Sequence, residues 1–265
     1  MMFNNYQTID LKQHKSGTAY VTMNRPDVHN AFNAQMIEEL TDVFNKLNDE
    51  KSVQVIVLNA NGKSFSAGAD INWMKSMAQA TEAENKTDSE KLAALMRTIN
   101  FNSKATIAMI QGLALGGGVG LACCCDLVVA EENAKFGLTE AKLGLVPAVV
   151  SPYVIDAIGT RKARRYFQTA EIFNATQAKA IGIVSEVVVT GEMSQWVEQQ
   201  LELMAATGPN AKEISKKLVM SVVGRTLPQQ KKIDEYTTQV IAAVRVSAEG
   251  QKGLNAFLNK EKINW

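Results

Sequence analysis

Apolar residues recur along this chain at two spacings. Thr18-Ala-Tyr-Val-Thr-Met-Asn24 and Gln54-Val-Ile-Val-Leu-Asn-Ala60 are short β-rich runs. Between them Met36, Ile37, Leu40, Val43, Phe44 and Leu47 fall at helical spacing within residues 34–49, which predicts a strand-helix-strand unit. A polar loop with Gly62 and Gly68 follows, then a helix opening near Asp70, a solvated stretch over 81–89 and a helix over 90–102. Thr106-Ile-Ala-Met-Ile-Gln-Gly112 reads as an apolar strand, and Asp126-Leu-Val-Val-Ala130 as another. Strands alternating with helices indicate an α/β fold. After Ser151 helical patterns dominate, over 160–170, 174–181, 192–206, 209–223 and 228–258, with Asn174 and Gln177 in capping-box positions. The last strand-like run is 184–189, so the expected division lies near residue 195, with a core over 1–195 and a C-terminal helical region over 196–265.

A length of 265 residues allows one large domain with a smaller appendage. Lys+Arg 28 against Asp+Glu 27 gives a net charge of +1, so no global field favours nucleic acid or an anionic membrane. Lys212, Lys216 and Lys217 form a local basic run, but acidic residues are interleaved, the pattern of a solvated helix face. Cys123, Cys124 and Cys125 are consecutive, unlike a disulfide framework or a CxxC metal site. They read as small buried hydrophobes in a reduced cytoplasm. The opening Met-Met-Phe-Asn-Asn-Tyr-Gln has neither a basic nor an apolar leader segment, and no apolar stretch is long enough to span a membrane. A soluble, cytoplasmic protein is expected.

Candidate chemistry centres on glycine. Leu113-Ala-Leu-Gly116-Gly117-Gly118-Val119-Gly120 joins a strand to a helix start with bare backbone. The first N–H groups of a helix lack intrahelical partners and can receive negative charge, although tight strand-helix packing also calls for glycine. The familiar phosphate loops do not fit: from Gly116 a dinucleotide fingerprint places its third glycine on Leu121, and before Gly62-Lys63-Ser64 a P-loop needs glycine where Val57 stands. Only His14 and His29 are available for a histidine triad or zinc site, and neither suits one. Ser64-Phe65-Ser66-Ala67-Gly68-Ala69-Asp70 is a second glycine-containing loop opening a helix, with Asp70 suited to an N-cap. Two such ends converging would offer two N–H groups to one developing oxyanion. Glu140 opens a short helix about twenty residues beyond the cluster. Taken alone, it is an ordinary first-turn charge.

Together these elements resemble the enoyl-CoA hydratase/isomerase (crotonase) superfamily. The matching motifs are Asn24-Arg25-Pro26 with Asn30-Ala31, Phe65-Ser66-Ala67-Gly68-Ala69-Asp70, Gln111-Gly112 through Gly118, Cys125-Asp126, Phe136-Gly137 with Glu140, Leu143-Gly144 and Pro147, and the ending Ala256 to Trp265. The resemblance covers essentially the whole chain. It implies a crotonase-like spiral of repeated ββα units and an acyl-CoA thioester substrate, with coenzyme A carried by the substrate rather than a separate cofactor, no metal, and a homotrimer or dimer of trimers. By the same resemblance, the N–H groups of Ala69 and Gly117 hold the thioester oxygen. Ala67 and Gly68 lie along the CoA path, Ala69, Asp70 and Ile71 border the acyl group, and Val28 and His29 flank the nucleotide. Lys260 and Lys262 are candidates for the CoA phosphates, and Trp73 and Met74 for the acyl pocket or for core packing.

Hydratases of the family generally use two glutamates. The second matches Glu140, whereas Gly120 stands where the first is expected. A second departure is Pro147-Ala148-Val149-Val150-Ser151-Pro152, where relatives are glycine-rich. This combination resembles bacterial methylglutaconyl-CoA hydratases of leucine breakdown and carboxygeranoyl-CoA hydratases of terpene breakdown. Hydration of a branched enoyl-CoA is therefore the first expectation. Isomerisation of an enoyl-CoA by one glutamate is the second, and a non-catalytic acyl-CoA or RNA binder the third. Lys75, Arg97 and Lys142 are the cations available for a distal substrate carboxylate.

Overall fold

The computed structural model describes residues 6–265; residues 1–5, on which the leader expectation falls, lie outside the described residues. In chain order the elements are β1 (Ile9–Gln13), β2 (Thr18–Met23), α1 (Ala34–Asp49), β3 (Val55–Ala60), α2 (Ile71–Gln79), α3 (Glu82–Asn100), β4 (Ala105–Ile110), β5 (Leu113–Leu115) and α4 (Gly117–Cys124). They continue with β6 (Leu127–Glu131), β7 (Lys135–Gly137), α5 (Ser151–Thr169), β8 (Ile172–Asn174), α6 (Ala175–Ile181) and β9 (Glu186–Val188). Four helices close the chain: α7 (Met193–Ala205), α8 (Pro209–Val222), α9 (Leu227–Val246) and α10 (Ala248–Leu258).

The larger sheet has the order β1-β2-β3-β4-β6-β9 and is parallel except for the β1–β2 pair. The inner strands are buried on both faces, as parallel sheets require. Ile56, Leu58, Ala108 and Ile110 join the main core with α1 and α3. Their sequence neighbours Val55, Val57, Ile107 and Met109 pack on the other face with Met193 and Val197 of α7. The smaller sheet, β5-β7-β8, is widened by isolated bridges from Ser66 to Ala114 and from Phe32 to Ala69. Successive turns of chain thus repeat one unit: a strand in the large sheet, an extended segment beside the small one, then a helix. β3 with 64–69 and α2, β4 with β5 and α4, and β6 with β7 and α5 form the expected α/β spiral of ββα units.

Several sequence expectations need correction. The stretch 81–89 is not solvated coil but the first half of α3, held by a reciprocal capping box between Thr81 and Glu84. Its inward residues there are the buried polar Asn85 and Ser89, so the apolar signal is missing. The pattern over 228–258 is two helices, because Ser247 leaves helical geometry and accepts from the Gly250 N–H to cap α10. The helix expected over 160–170 is present as the second part of α5, set off from a first part that opens at Ser151 by a kink at Gly159 (φ 76°, ψ 159°). Asn174 does cap α6, accepting from the Gln177 N–H. β1 and the three-residue strands β5, β7 and β8 had no periodic signature.

Among the described residues no helix is long and apolar enough to cross a membrane. The cysteines are free, and burial holds all three thiols above their ordinary pKa, Cys125 at about 12.

Candidate active site

A polar clip sets the geometry of the loop before α2. Asn30 is fully buried; its Nδ2 donates to the carbonyls of Asn61 and Ser64, and its Oδ1 accepts from the Arg25 N–H. Arg25 reaches across to Asp70 at 2.8 Å and donates to the Ala31 carbonyl. Asp70 in turn accepts from the N–H groups of Asn72 and Trp73, capping α2. Burial opposes the charge on Asp70, but Arg25 and the two N–H donors outweigh it and hold its carboxyl below the ordinary value. Phe32 donates to the Gly68 carbonyl and Asp70 to the Phe32 carbonyl, which flanks Ala69 on both sides.

On the other side, Ser66 exchanges backbone hydrogen bonds with Leu113 and Leu115, locking the loop against β5. β5 runs directly into Gly116 and α4. A Cβ at Gly118 would lie 2.9 Å from the Ser66 carbonyl oxygen, so the helix start abuts the loop backbone. Gly116 has φ 50° and ψ −112°, a conformation for which glycine is suited. Among the described residues neither the Ala69 nor the Gly117 N–H has a hydrogen-bond acceptor, and both residues line one cavity.

Glu140 begins a 3₁₀ turn, Glu140–Leu143, closed by Gly144 in the left-handed region at φ 63°. Its carboxylate lies over the bare backbone of Gly116: a Cβ there would stand 2.9 Å from Glu140 Oε1. Oε2 is sealed and without a partner. Burial is the dominant influence and raises the carboxyl from 4.5 to about 7, the range suited to proton transfer near neutrality. No second carboxylate fits at position 120. A Cβ on Gly120 would lie 2.3 Å from Val150 Cγ1, and Val150 is itself buried.

The cavity encloses about 420 Å³ and runs from Ala69, Gly117 and Glu140 into a largely apolar chamber. Trp73, Met74, Leu92, Val150, Ile241 and Phe257 contribute to its wall. Trp73 and Met74 thus face the chamber, while both also pack onto the core. A shape of this kind, apolar with few polar groups, suits a small-molecule site.

The enoyl-CoA hydratase/isomerase family model matches residues 13–265. A crotonyl-CoA hydratase of Syntrophomonas wolfei is 31% identical, covering 98% of both chains. A short-chain-enoyl-CoA hydratase of Clostridium acetobutylicum is 30% identical over 92% of each. Among solved structures, an enoyl-CoA hydratase of Shewanella pealeana superimposes with TM-score 0.81 at 38% identity, covering 98% of this chain and 97% of its own. This chain belongs to the enoyl-CoA hydratase/isomerase family. It is an enzyme of the enoyl-CoA hydratase type.

The other sequence candidates are placed as follows. Ala67 and Gly68 line the cavity beside Ala69. Asp70 is spent on Arg25 and the α2 cap rather than facing the chamber. Val28, His29, Ile71, Lys260 and Lys262 are not part of the cavity wall; Val28 and Ile71 are exposed, and His29 Nδ1 lies 3.0 Å from Ser64 Oγ. Of the three proposed cations, Arg97 is engaged by Asp234, Lys75 lies off the wall, and Lys142 lines it as an exposed residue. The basic run is also spoken for: Lys216 pairs with Asp126, Lys217 with Glu213, and Lys212 donates to the Met204 carbonyl. Sequence reasoning missed Arg245, which lines the cavity from α9. Its only sequence signal is an isolated charge within the apolar run Val240 to Val246.

The collision at Gly120 carries a prediction. Gly120→Glu, which would supply the family's other carboxylate, is expected to lower stability by about 1–3 kcal/mol through overpacking alone. Val150→Ala should relieve part of this. Thermal unfolding of the single and double variants checks it, and an unchanged transition in Gly120→Glu would contradict the packing described.

Proposed function

We propose that this enzyme adds water across the 2,3 double bond of an enoyl-CoA, with the N–H groups of Ala69 and Gly117 as the oxyanion hole and Glu140 as the sole acid–base group. The observation that carries this reading is the meeting of two acceptor-less N–H groups with one buried carboxyl poised at about 7. The two donors hold the thioester oxygen. The Glu140 carboxylate takes a proton from water as the water oxygen bonds to C3, and the electron pair of the double bond moves to the thioester oxygen as an enolate. The protonated Glu140 then delivers that proton to C2. The atoms of one water are added, Glu140 is regenerated, and coenzyme A enters only as part of the substrate. Ala67, Gly68, Val28 and His29 are the proposed CoA contacts, with Ile71 and Asp70 near the acyl entrance and Lys260 and Lys262 for the phosphates.

The finer reading is a branched substrate, 3-methylglutaconyl-CoA of leucine degradation, with a carboxygeranoyl-CoA as the related alternative. The one-carboxylate site at Gly120 supports it, since the substitution accompanies the Val150 stretch in the hydratases that the sequence resembles. Residues 1–195 are proposed to supply the catalytic contacts and 196–265 to close the acyl end and join subunits of a cytoplasmic trimer or dimer of trimers. The exposed Ile214, Leu218, Val219, Val222 and Val223 of the α8 region support such a contact. Side-by-side turnover of crotonyl-CoA and 3-methylglutaconyl-CoA tests the substrate. Faster conversion of the branched acid to its 3-hydroxy product is expected; faster conversion of crotonyl-CoA would point to a short straight-chain substrate instead.

A single carboxylate also fixes the pH response. Glu140 must start ionised in hydration, to take the water proton, and in dehydration, to take the C2 proton. With its carboxyl at about 7, kcat/KM is expected to rise with pH through that value in both directions and then level off. Initial rates in each direction check this, and a limb falling through the same range would mean that the acid form is the working one.

A further inference from the structure

The wall of the chamber contains charges that the hydration chemistry does not use, Lys142 and Arg245. Arg245 of α9 lines the chamber together with Glu140, Lys142 and a mostly apolar set of residues, and its side chain is only 15% exposed. Its Nη1 donates to Asn85 Oδ1 at 3.3 Å and to Ser89 Oγ at 3.2 Å, both neutral acceptors on α3. Asp88 forms an ion pair with Arg245, its Oδ2 3.7 Å from Nη1, but without a hydrogen bond. Asp88 instead accepts from Trp73 Nε1 through Oδ1, while its Oδ2 is sealed without a partner. Among the described residues Arg245 Nε and Nη2 have no acceptor, and neither belongs to the sealed, unpartnered atoms, so both keep some accessible surface.

That free edge has a defined chemistry. Nε and Nη2 are the parallel pair by which an arginine takes a carboxylate side-on, as Arg165 does with both oxygens of Glu171 in this molecule. Burial makes the guanidinium charge unfavourable, and Asp88 offsets only part of that, so an incoming anion would be favoured. Asn85 and Ser89, buried and held by α3, fix the orientation of the fork rather than neutralising it.

We propose that Arg245 selects substrates whose acyl chain ends in a carboxylate, binding that carboxylate through Nε and Nη2. The proposal rests on reading the chamber as the acyl site. It assigns the terminal-group recognition to a residue 105 positions beyond Glu140 in the chain, on an element outside the catalytic core. Arg245 acts as a specificity residue and takes no part in the proton transfers.

The test compares acyl chains of equal length. Glutaryl-CoA, ending in carboxylate, and valeryl-CoA, ending in methyl, are titrated calorimetrically into the wild-type protein and into Arg245→Gln and Arg245→Lys. Wild type is expected to bind glutaryl-CoA about 10–100-fold more tightly than valeryl-CoA. Arg245→Gln should abolish that preference, and Arg245→Lys should restore part of it by returning the charge without the fork. The ratio of kcat/KM for 3-methylglutaconyl-CoA over crotonyl-CoA should fall by a similar factor in Arg245→Gln. Equal binding of the two acyl chains by wild type, or a preference that survives in Arg245→Gln, would overturn the proposal. Because binding is read without turnover, a protein that binds glutaryl-CoA selectively yet hydrates nothing would sink the hydratase reading while leaving this one standing. Should Arg245→Gln not fold, the wild-type comparison and Arg245→Lys still decide it.

Discussion

Glu140→Gln is expected to lower kcat by about 10²–10⁴-fold and, at the same time, to make the protein more stable above neutral pH. The amide keeps the shape of the neutral acid but cannot take a proton from water. The gain in stability follows from burial. The folded carboxyl titrates at about 7 against an ordinary 4.5, so between those values the folded state holds a proton that the unfolded state has lost. Stability therefore falls as pH rises through this window, and above it the buried charge costs about 3 kcal/mol, at about 1.4 kcal/mol for each factor of ten in proton affinity. Glutamine never carries that charge. At about pH 8 the variant should withstand denaturant better than wild type by up to about 3 kcal/mol, and the difference should shrink toward zero as pH drops below about 5. Denaturant unfolding at both ends of the range, together with turnover, checks both halves. Equal stability of the two proteins at high pH would mean that Glu140 titrates normally and is not poised as described.

Gly117→Pro should cost about 10²–10³-fold in kcat beyond whatever Gly117→Ala costs. Gly117 is the first residue of α4, the helical position where proline is tolerated because its N–H has no intrahelical partner. Gly116 before it lies outside the α region, so the restriction on residues preceding proline is met. Both variants place a Cβ against Phe32, at 2.8 Å from Cε2, and so share the same steric insult. They differ at the nitrogen, where proline puts a ring methylene in place of the N–H hydrogen and so removes the donor and the space for the oxyanion together. Turnover of crotonyl-CoA by the pair, with circular dichroism to verify that α4 is retained, tests the oxyanion position at Gly117. Equal rates would remove Gly117 from that role.

The sequence exposes some of this arrangement and hides the rest for physical reasons. β3 and β4 are legible because both faces are buried and the runs are continuously apolar. The glycine cluster is legible as a bare helix start, but its packing role at Gly118 and Gly120 needs the distances to Ser66 and Val150. The first half of α3 is hidden because its inward face is polar: Asn85 and Ser89 accept from Arg245, 160 and 156 residues later in the chain. Arg25 and Asn30 are visible as a motif, but their work of clamping Asp70 and the 61–64 loop requires distances. The two departures from the family pattern, Gly120 and the Val149–Val150 stretch, read as separate oddities. In the fold they are one feature, since Val150 fills the space that a side chain at 120 would need. The shift of Glu140 is likewise invisible until Gly116 and the cavity wall surround it.

The central claim is that one carboxylate and two backbone donors add water to an enoyl-CoA. It is tested most directly by incubating the purified protein with 3-methylglutaconyl-CoA in water labelled with heavy oxygen and following the acyl group by mass spectrometry. One labelled oxygen is expected in the C3 hydroxyl of the product, with wild-type rates lost in Glu140→Gln. A double bond that migrates in the acyl group with no uptake of label would contradict it and assign the same residues to isomerisation.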